Sequence, residues 1–248
     1  MKIWLLDSGS LVIDQAHITW NLGCGTPVRF PVYSVLIQHD EGLFLFDSGY
    51  DLEHVKAVLP FELPEQTPKQ TLTAQLALCG FAPSDVTTLV MSHLHFDHVG
   101  GNKHLPGARV LVHAREIAQA RNCEPFEHFG YSDHGWDHPD ARLVPITGDQ
   151  EIAAGLHLLE TPGHTVGHYS LLVTPPSGKA MLFPFDVVYT QDAYDRGLQP
   201  GFHNDPTAGV RSIRRVRQLA EEHNAQIFFT HDMEAWNSYH HAPDHYEV

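Results

Sequence analysis

Ser92-His93-Leu94-His95-Phe96-Asp97-His98-Val99-Gly100-Gly101 gathers three imidazoles and a carboxylate into six residues, between an apolar run (Val86, Leu89, Val90, Met91) and two glycines. Imidazole nitrogen and carboxylate oxygen are donors that zinc accepts. The apolar run reads as a buried strand, so the cluster falls where the chain turns into a glycine-opened loop or helix. His93 and His95 are two apart, share a face in extended backbone and can hold one ion. Asp97 and His98 fall in the turn and reach a different point. One segment thus supplies half the ligands of two neighbouring metals.

The rest of the chain carries histidines and acids at comparable places. Leu156 to Glu160 reads as a strand, followed by the turn Thr161-Pro162-Gly163-His164. Met181 to Phe185 is an apolar strand ending at Asp186, and Gln226 to Thr230 is a last strand ending at His231-Asp232. The candidates sum to His93, His95 and His164 for one ion and Asp97, His98 and His231 for the other. Asp186, with two oxygens, is suited to bridge them. Five histidines, two acids and no cysteine make a nitrogen–oxygen site that matches two zinc ions, with Mn, Fe or Co as alternatives. Asp47, at the end of Leu43 to Phe46, is either a plain turn residue or a carboxylate that orients a metal-bound histidine. His168 reads as structural.

The elements that must position these groups follow from periodicity. Lys2 to Asp7 and Phe30 to Gln38 are expected strands, and Asp40-Glu41-Gly42 is a hairpin signal before Leu43 to Phe46. Residues 51–59 and 69–79 have helical spacing, separated by Pro60, Pro64 and Pro68. A strand over Val110 to His113 leads into a helix from Ala114 to about Arg121. Asp205-Pro206 is a helix start, with an acid at the N-cap and proline at N1, and the helix runs to about His223. Residues 122–140 are rich in aromatics and histidines without clear periodicity. They are expected to form a lid or substrate loop, or else a segment packed on itself or a second subunit. Strands and helices alternate in two similar halves, which predicts one α/β domain over residues 1–248 with a single site.

The formal net charge of −15 argues against nucleic-acid and anionic-membrane partners. Cys24, Cys79 and Cys123 are odd in number and widely spaced, which fits reduced thiols. Ile3-Trp4-Leu5-Leu6 is too short for a signal peptide's core, and no run approaches a membrane span. These observations predict a cytoplasmic protein.

His93-x-His95-x-Asp97-His98, with His164, Asp186 and His231 following in that order, resembles the metallo-β-lactamase superfamily across essentially the whole chain. The resemblance implies an αββα sandwich with a dinuclear site at one edge of the paired sheets. Within that superfamily the chain is most similar to the lactonases, because Tyr189 lies three residues past Asp186, where enzymes that open acyl-homoserine lactones carry a tyrosine. Arg29-Phe30-Pro31-Val32-Tyr33-Ser34, the run Pro125 to Asp133 and Phe202-His203-Asn204-Asp205-Pro206 resemble most the lactonases that open 4-pyridoxolactone in vitamin B6 breakdown. Acyl-homoserine lactonases, which quench quorum signals, come next, then glyoxalase II-type thioesterases, then a non-hydrolytic metalloprotein. Val166 and Pro184-Phe185 depart from the pattern, since relatives often have proline and glycine there.

The implied reaction opens a lactone, the small-molecule partner. Metal binding lowers the pKa of water from 15.7 to about 7, making a bridging hydroxide available to attack the carbonyl. By resemblance Tyr189 stabilises the oxyanion, and Asp97 is the candidate to protonate the leaving alkoxide. Trp20, Phe126, Phe129, Tyr131, Trp136 and His203 are the expected substrate contacts. A homodimer is compatible with this reading.

Overall fold

Runs of β-branched and aromatic residues build two sheets, one in each of the units into which the chain divides. A computed structural model describes residues 1–248. The first unit comprises Met1–Val12, Pro31–Ile146 and His240–Glu247; the second comprises Ile13–Phe30, Thr147–Tyr239 and Val248.

The first unit's sheet is ordered β12-β1-β2-β3-β4-β5-β6. Its strands are β1 (Lys2–Asp14), β2 (Pro27–His39), β3 (Gly42–Phe46), β4 (Thr88–Val90), β5 (Arg109–His113), β6 (Arg142–Ile146) and β12 (Tyr246–Glu247). β2 and β3 form the antiparallel hairpin that Asp40-Glu41-Gly42 foretold, and β3 to β6 run parallel. Parallel strands covered on both faces read as near-continuous apolar runs, as over Leu89 to Met91. Trp4, Leu36, Leu45, Leu76, Leu89, Met91 and Val112 lie in one buried core cluster, each side chain contributing about 1.5–3 kcal/mol of burial.

The second sheet is ordered β11-β10-β9-β8-β7, from β7 (Gln150–Ala153), β8 (Leu156–Glu160), β9 (Tyr169–Val173), β10 (Met181–Phe185) and β11 (Gln226–Phe229). Only β10 and β11 pair in parallel. The helices are α1 (Gln15–Ile18), α2 (Leu52–Val58), α3 (Leu72–Leu78), α4 (Phe96–Val99), α5 (Ala114–Arg121), α6 (Gln191–Arg196), α7 (Pro206–Glu222) and α8 (Met233–Ser238). α7 starts as its sequence requires: Pro206 opens it and the Asp205 carboxylate accepts from Thr207 N and Ala208 N, both at 2.9 Å. Its buried face carries Ile213, Val216 and Ala220 into a core cluster with Leu159, Leu172 and Leu182.

The structure differs from the sequence expectation in several elements. β1 continues past Asp7 to Asp14, because Gly9 takes a left-handed φ of 95° and Ser10 exchanges backbone hydrogen bonds with Glu65. The helix expected over 69–79 begins at Leu72, since Pro68–Gln70 form a separate turn closed by the Thr67–Gln70 capping pair. β6, β7, α6 and α8 carry weak periodicity and were not foreseen. Residues 122–140 form a run of turns with one short helical turn at Pro125–Glu127. No helix is long and apolar enough to cross a membrane.

Candidate metal centre

Asp47 and the segment from Ser92 to His98 in the first unit, and Asp186 and His231 in the second, follow the carboxyl ends of adjacent parallel strands, a position where α/β sheets bind ligands. In the first unit Phe46 pairs with Val90, so Asp47 and the Met91-Ser92 step emerge side by side. Asp47 sits at φ 57°, a left-handed conformation that Asp tolerates better than most residues with a Cβ. That turn aims its carboxylate at the next strand end. Oδ1 accepts from Ser92 N at 2.8 Å, while Oδ2 accepts from the Ser92 hydroxyl and from His98 Nδ1, each at 2.7 Å.

These bonds assign the histidine tautomers. A carboxylate only accepts, so His98 carries its proton on Nδ1 and presents the Nε2 lone pair. Ser92 has one proton, committed to Asp47, so its oxygen accepts from His93 Nδ1 at 3.0 Å. His93 therefore also presents Nε2, and one carboxylate orients two imidazoles.

The turn itself is held from below. Leu94 N and the Tyr131 hydroxyl both donate to Glu116 Oε1, at 3.1 and 2.8 Å. Phe96 N donates to Gly130 O at 2.8 Å, and the Tyr131 ring stands edge-on to His95 at 4.9 Å. Gly130 lies so close that a Cβ there would meet His95 Nε2 at 2.6 Å. The His93 ring lies 4.6 Å from that of His95 and 4.1 Å from that of His98, and Asp97 Oδ2 is 3.5 Å from His98 Nε2. Gly100 has no alternative, because a Cβ would strike the Asp51 and Tyr50 backbone at 2.1–2.6 Å.

In the second unit His164 ends the turn after β8. Gly163 packs there against α7, where a Cβ would meet Gly209 at 2.3 Å. His164 Nδ1 donates to the Phe202 carbonyl at 2.7 Å, so this imidazole too presents Nε2. Asp186 follows Phe185, whose φ of 49° is unusual for an aromatic residue. Asp186 N donates to His168 Nε2 at 3.1 Å, and His168 Nδ1 in turn donates to Thr161 Oγ1 at 3.0 Å. His168 is thus structural, as expected. Asp186 Oδ2 lies 3.4 Å from His164 Nε2 and 3.3 Å from His231 Nε2, an oxygen poised between two imidazole donors. The buried Tyr189 ring stands edge-on to His231 at 4.6 Å and lies 6.0 Å from His164.

The expected substrate contacts divide. Trp20, Phe126 and Phe129 are exposed, with Trp20 edge-on to His203 at 4.4 Å. Tyr131 and Trp136 are corrected: both are 1% exposed and belong to the core cluster, leaving little surface for a substrate. Ser92, Glu116, Gly130 and the Phe202 carbonyl escaped sequence reasoning, since each acts through a partner distant in the chain. Glu62 escaped it too, although an acid between Phe61 and Leu63 was a visible irregularity. Burial, then the negative charge of Asp97, pushes its carboxyl up to about 8. All three cysteines are free thiols.

Residues 27–231 match the metallo-β-lactamase superfamily. An N-acyl homoserine lactonase, AttM, of Azorhizobium caulinodans is 32% identical, covering 100% of this chain and 99% of that protein. AiiA of Bacillus thuringiensis subsp. kurstaki, also an N-acyl homoserine lactonase, is 28% identical over 94% of each chain. An N-acyl homoserine lactone hydrolase solved with the product N-hexanoyl-L-homoserine at its catalytic metal centre superimposes with a TM-score of 0.87 at 28% identity, covering 99% of this chain and 98% of that one.

Proposed function

The chain belongs to the metallo-β-lactamase superfamily, and from that premise we propose that it is a dinuclear zinc hydrolase that opens N-acyl-homoserine lactones. In this reading His93, His95 and His164 would hold one ion and Asp97, His98 and His231 the other, with Asp186 available to either. The observation that carries it is the commitment of Nδ1 in His93, His98 and His164 to neighbouring acceptors, which leaves Nε2 of each as the donor a metal takes. The donor set therefore fits zinc.

When bound, the ions supply an activated water and polarise the lactone carbonyl. The chain's own groups do the rest. Tyr189 donates a hydrogen bond to the carbonyl oxygen as it gains negative charge. The water oxygen joins the carbonyl carbon and gives one proton to Asp97, the ring C–O bond breaks, and Asp97 passes that proton to the departing ring oxygen, while the other proton leaves with the acid product. Asp47, through Ser92 and His98, orients two of the ligands.

The relatives support acyl-homoserine lactones over 4-pyridoxolactone. A flat aromatic lactone is the second reading, favoured by the exposed rings of Trp20, Phe126 and Phe129. Proton release from N-hexanoyl-homoserine lactone, 4-pyridoxolactone, γ-butyrolactone and a glutathione thioester separates them. The zinc-loaded protein is expected to open the acyl-homoserine lactone with the highest kcat/KM, and the metal-free protein to open none. Thioester cleavage without lactone opening, or equal rates with and without metal, would overturn the proposal.

A further inference from the structure

By sequence the basic run Arg211, Arg214, Arg215 and Arg217 of α7 reads as a solvated face, but the structure separates its members. Arg215 pairs with Asp149, and the Arg217 guanidinium lies over the Tyr194 ring. Arg211 and Arg214 have neither an ion pair nor a hydrogen bond, in a chain that carries 30 acids against 15 lysines and arginines. Three apart on one helix, they share a face, where like charges repel.

Both line an open cavity of about 410 Å³ together with Trp20, Gln199, Thr207 and Val210, all within the second unit. No acid lines it, and the carboxylate of Asp205 is committed to capping Thr207 N and Ala208 N. Gln199 is 6% exposed, yet its amide has no hydrogen-bond partner at either end. Oε1 is sealed beside Gly209, where a Cβ would meet it at 2.7 Å, whereas Nε2 is not sealed. Glycine is unfavourable inside a helix, and here it makes room for that amide. Trp20 N donates to the Gln199 carbonyl at 3.0 Å, which ties the two walls together and leaves the indole 44% exposed. A nearly buried amide left unpaired beside two unpaired cations calls for a partner.

Guanidinium groups and an amide N–H only donate, so these groups match an anion. Arginine's planar fork fits a carboxylate, and Trp20 with Val210 offers apolar surface to the body that carries it. We propose that this cavity binds a small organic carboxylate, held by Arg211, Arg214 and Gln199 with its apolar part against Trp20. The assignment stands apart from the lactonase reading. Ester hydrolysis leaves such a carboxylate, so a ring-opened lactone is one occupant of the right chemistry.

The test titrates zinc-loaded, isotope-labelled protein with benzoate, N-hexanoyl-homoserine, benzamide and inorganic phosphate. Nuclear magnetic resonance follows the Trp20 indole N–H signal, identified by its loss in Trp20→Phe. Benzoate and N-hexanoyl-homoserine are expected to shift it saturably, and benzamide and phosphate to bind at least about tenfold more weakly. In Arg211→Gln/Arg214→Gln protein, with zinc content and melting temperature verified, carboxylate affinity is expected to fall about tenfold or more. Gln199→Leu is expected to lower it about threefold. A response to benzoate alone upholds the site and excludes the ring-opened lactone as its occupant. No saturable shift with either carboxylate, equal affinity for benzamide or phosphate, or unchanged affinity in the arginine variant would overturn the proposal, whether or not the protein opens lactones.

Discussion

Replacing Asp47 with asparagine tests whether one carboxylate sets the chemistry of two metal ligands. Asp47 accepts three hydrogen bonds, two of them at Oδ2, from the Ser92 hydroxyl and His98 Nδ1. Asparagine can keep Oδ1 facing Ser92 N, but its amide nitrogen then confronts two donors with no lone pair. Relief comes if His98 moves its proton to Nε2 and accepts at Nδ1, which removes the lone pair a metal needs. Loss of such an outer partner typically costs 10–100-fold in metal affinity or activity, or about 1.4–2.7 kcal/mol. Competition against a chromophoric chelator should show one zinc ion weakened by that factor and the other much less affected, with a matching fall in kcat/KM. Ser92→Ala isolates the arm that reaches His93 and should produce a smaller effect. An Asp47→Asn protein with an unchanged competition curve and kcat/KM within about threefold of wild type would refute the reasoning, because affinity and activity would then not depend on tautomers set by Asp47.

Tyr189→Phe should lower kcat by about 10²–10³ while retaining both metals, the usual consequence of removing one oxyanion donor; unchanged turnover measured by proton release would remove the role. Gly130→Ala places a Cβ 2.6 Å from His95 Nε2, so zinc content by elemental analysis should fall below that of wild type, whereas full content and activity would show that the loop yields freely. Glu116→Leu strips the acceptor from two buried donors, Leu94 N and the Tyr131 hydroxyl, at about 1–3 kcal/mol each. Calorimetry should show a melting temperature lower by roughly 5–20 °C, and a loss under about 2 °C would contradict the network.

Glu62 gives a pH signature in the metal-free protein. Its folded-state carboxyl lies at about 8 against an ordinary 4.5, so between those values the folded chain holds a proton that the unfolded chain releases. Stability should therefore fall as pH rises through that window. Glu62→Gln should remove this decline, matching wild type near pH 4.5 and exceeding it near pH 8; parallel melting profiles would sink the argument.

The candidate ligand set was legible because it is local. His93, His95, Asp97 and His98 stand within six residues at a strand end, and Asp186 and His231 each follow an apolar run, so residue type and period were enough to nominate them. The α7 start at Asp205-Pro206 was legible for the same reason, since capping is settled within three residues. Long-range pairing was not. Asp47 and Ser92 are 45 positions apart, and only the parallel register of β3 with β4 turned an ambiguous turn acid into the group that orients His93 and His98. Tyr131 and Trp136 looked like any aromatics of an irregular segment until their burial assigned them to the core. The amino-acid order determined which donors are available and at which strand ends; tertiary structure alone decided which nitrogen of His93, His98 and His164 is committed to a neighbouring acceptor. A proton's place on an imidazole is fixed by whatever lies opposite it, and here that is seldom a neighbour in the chain.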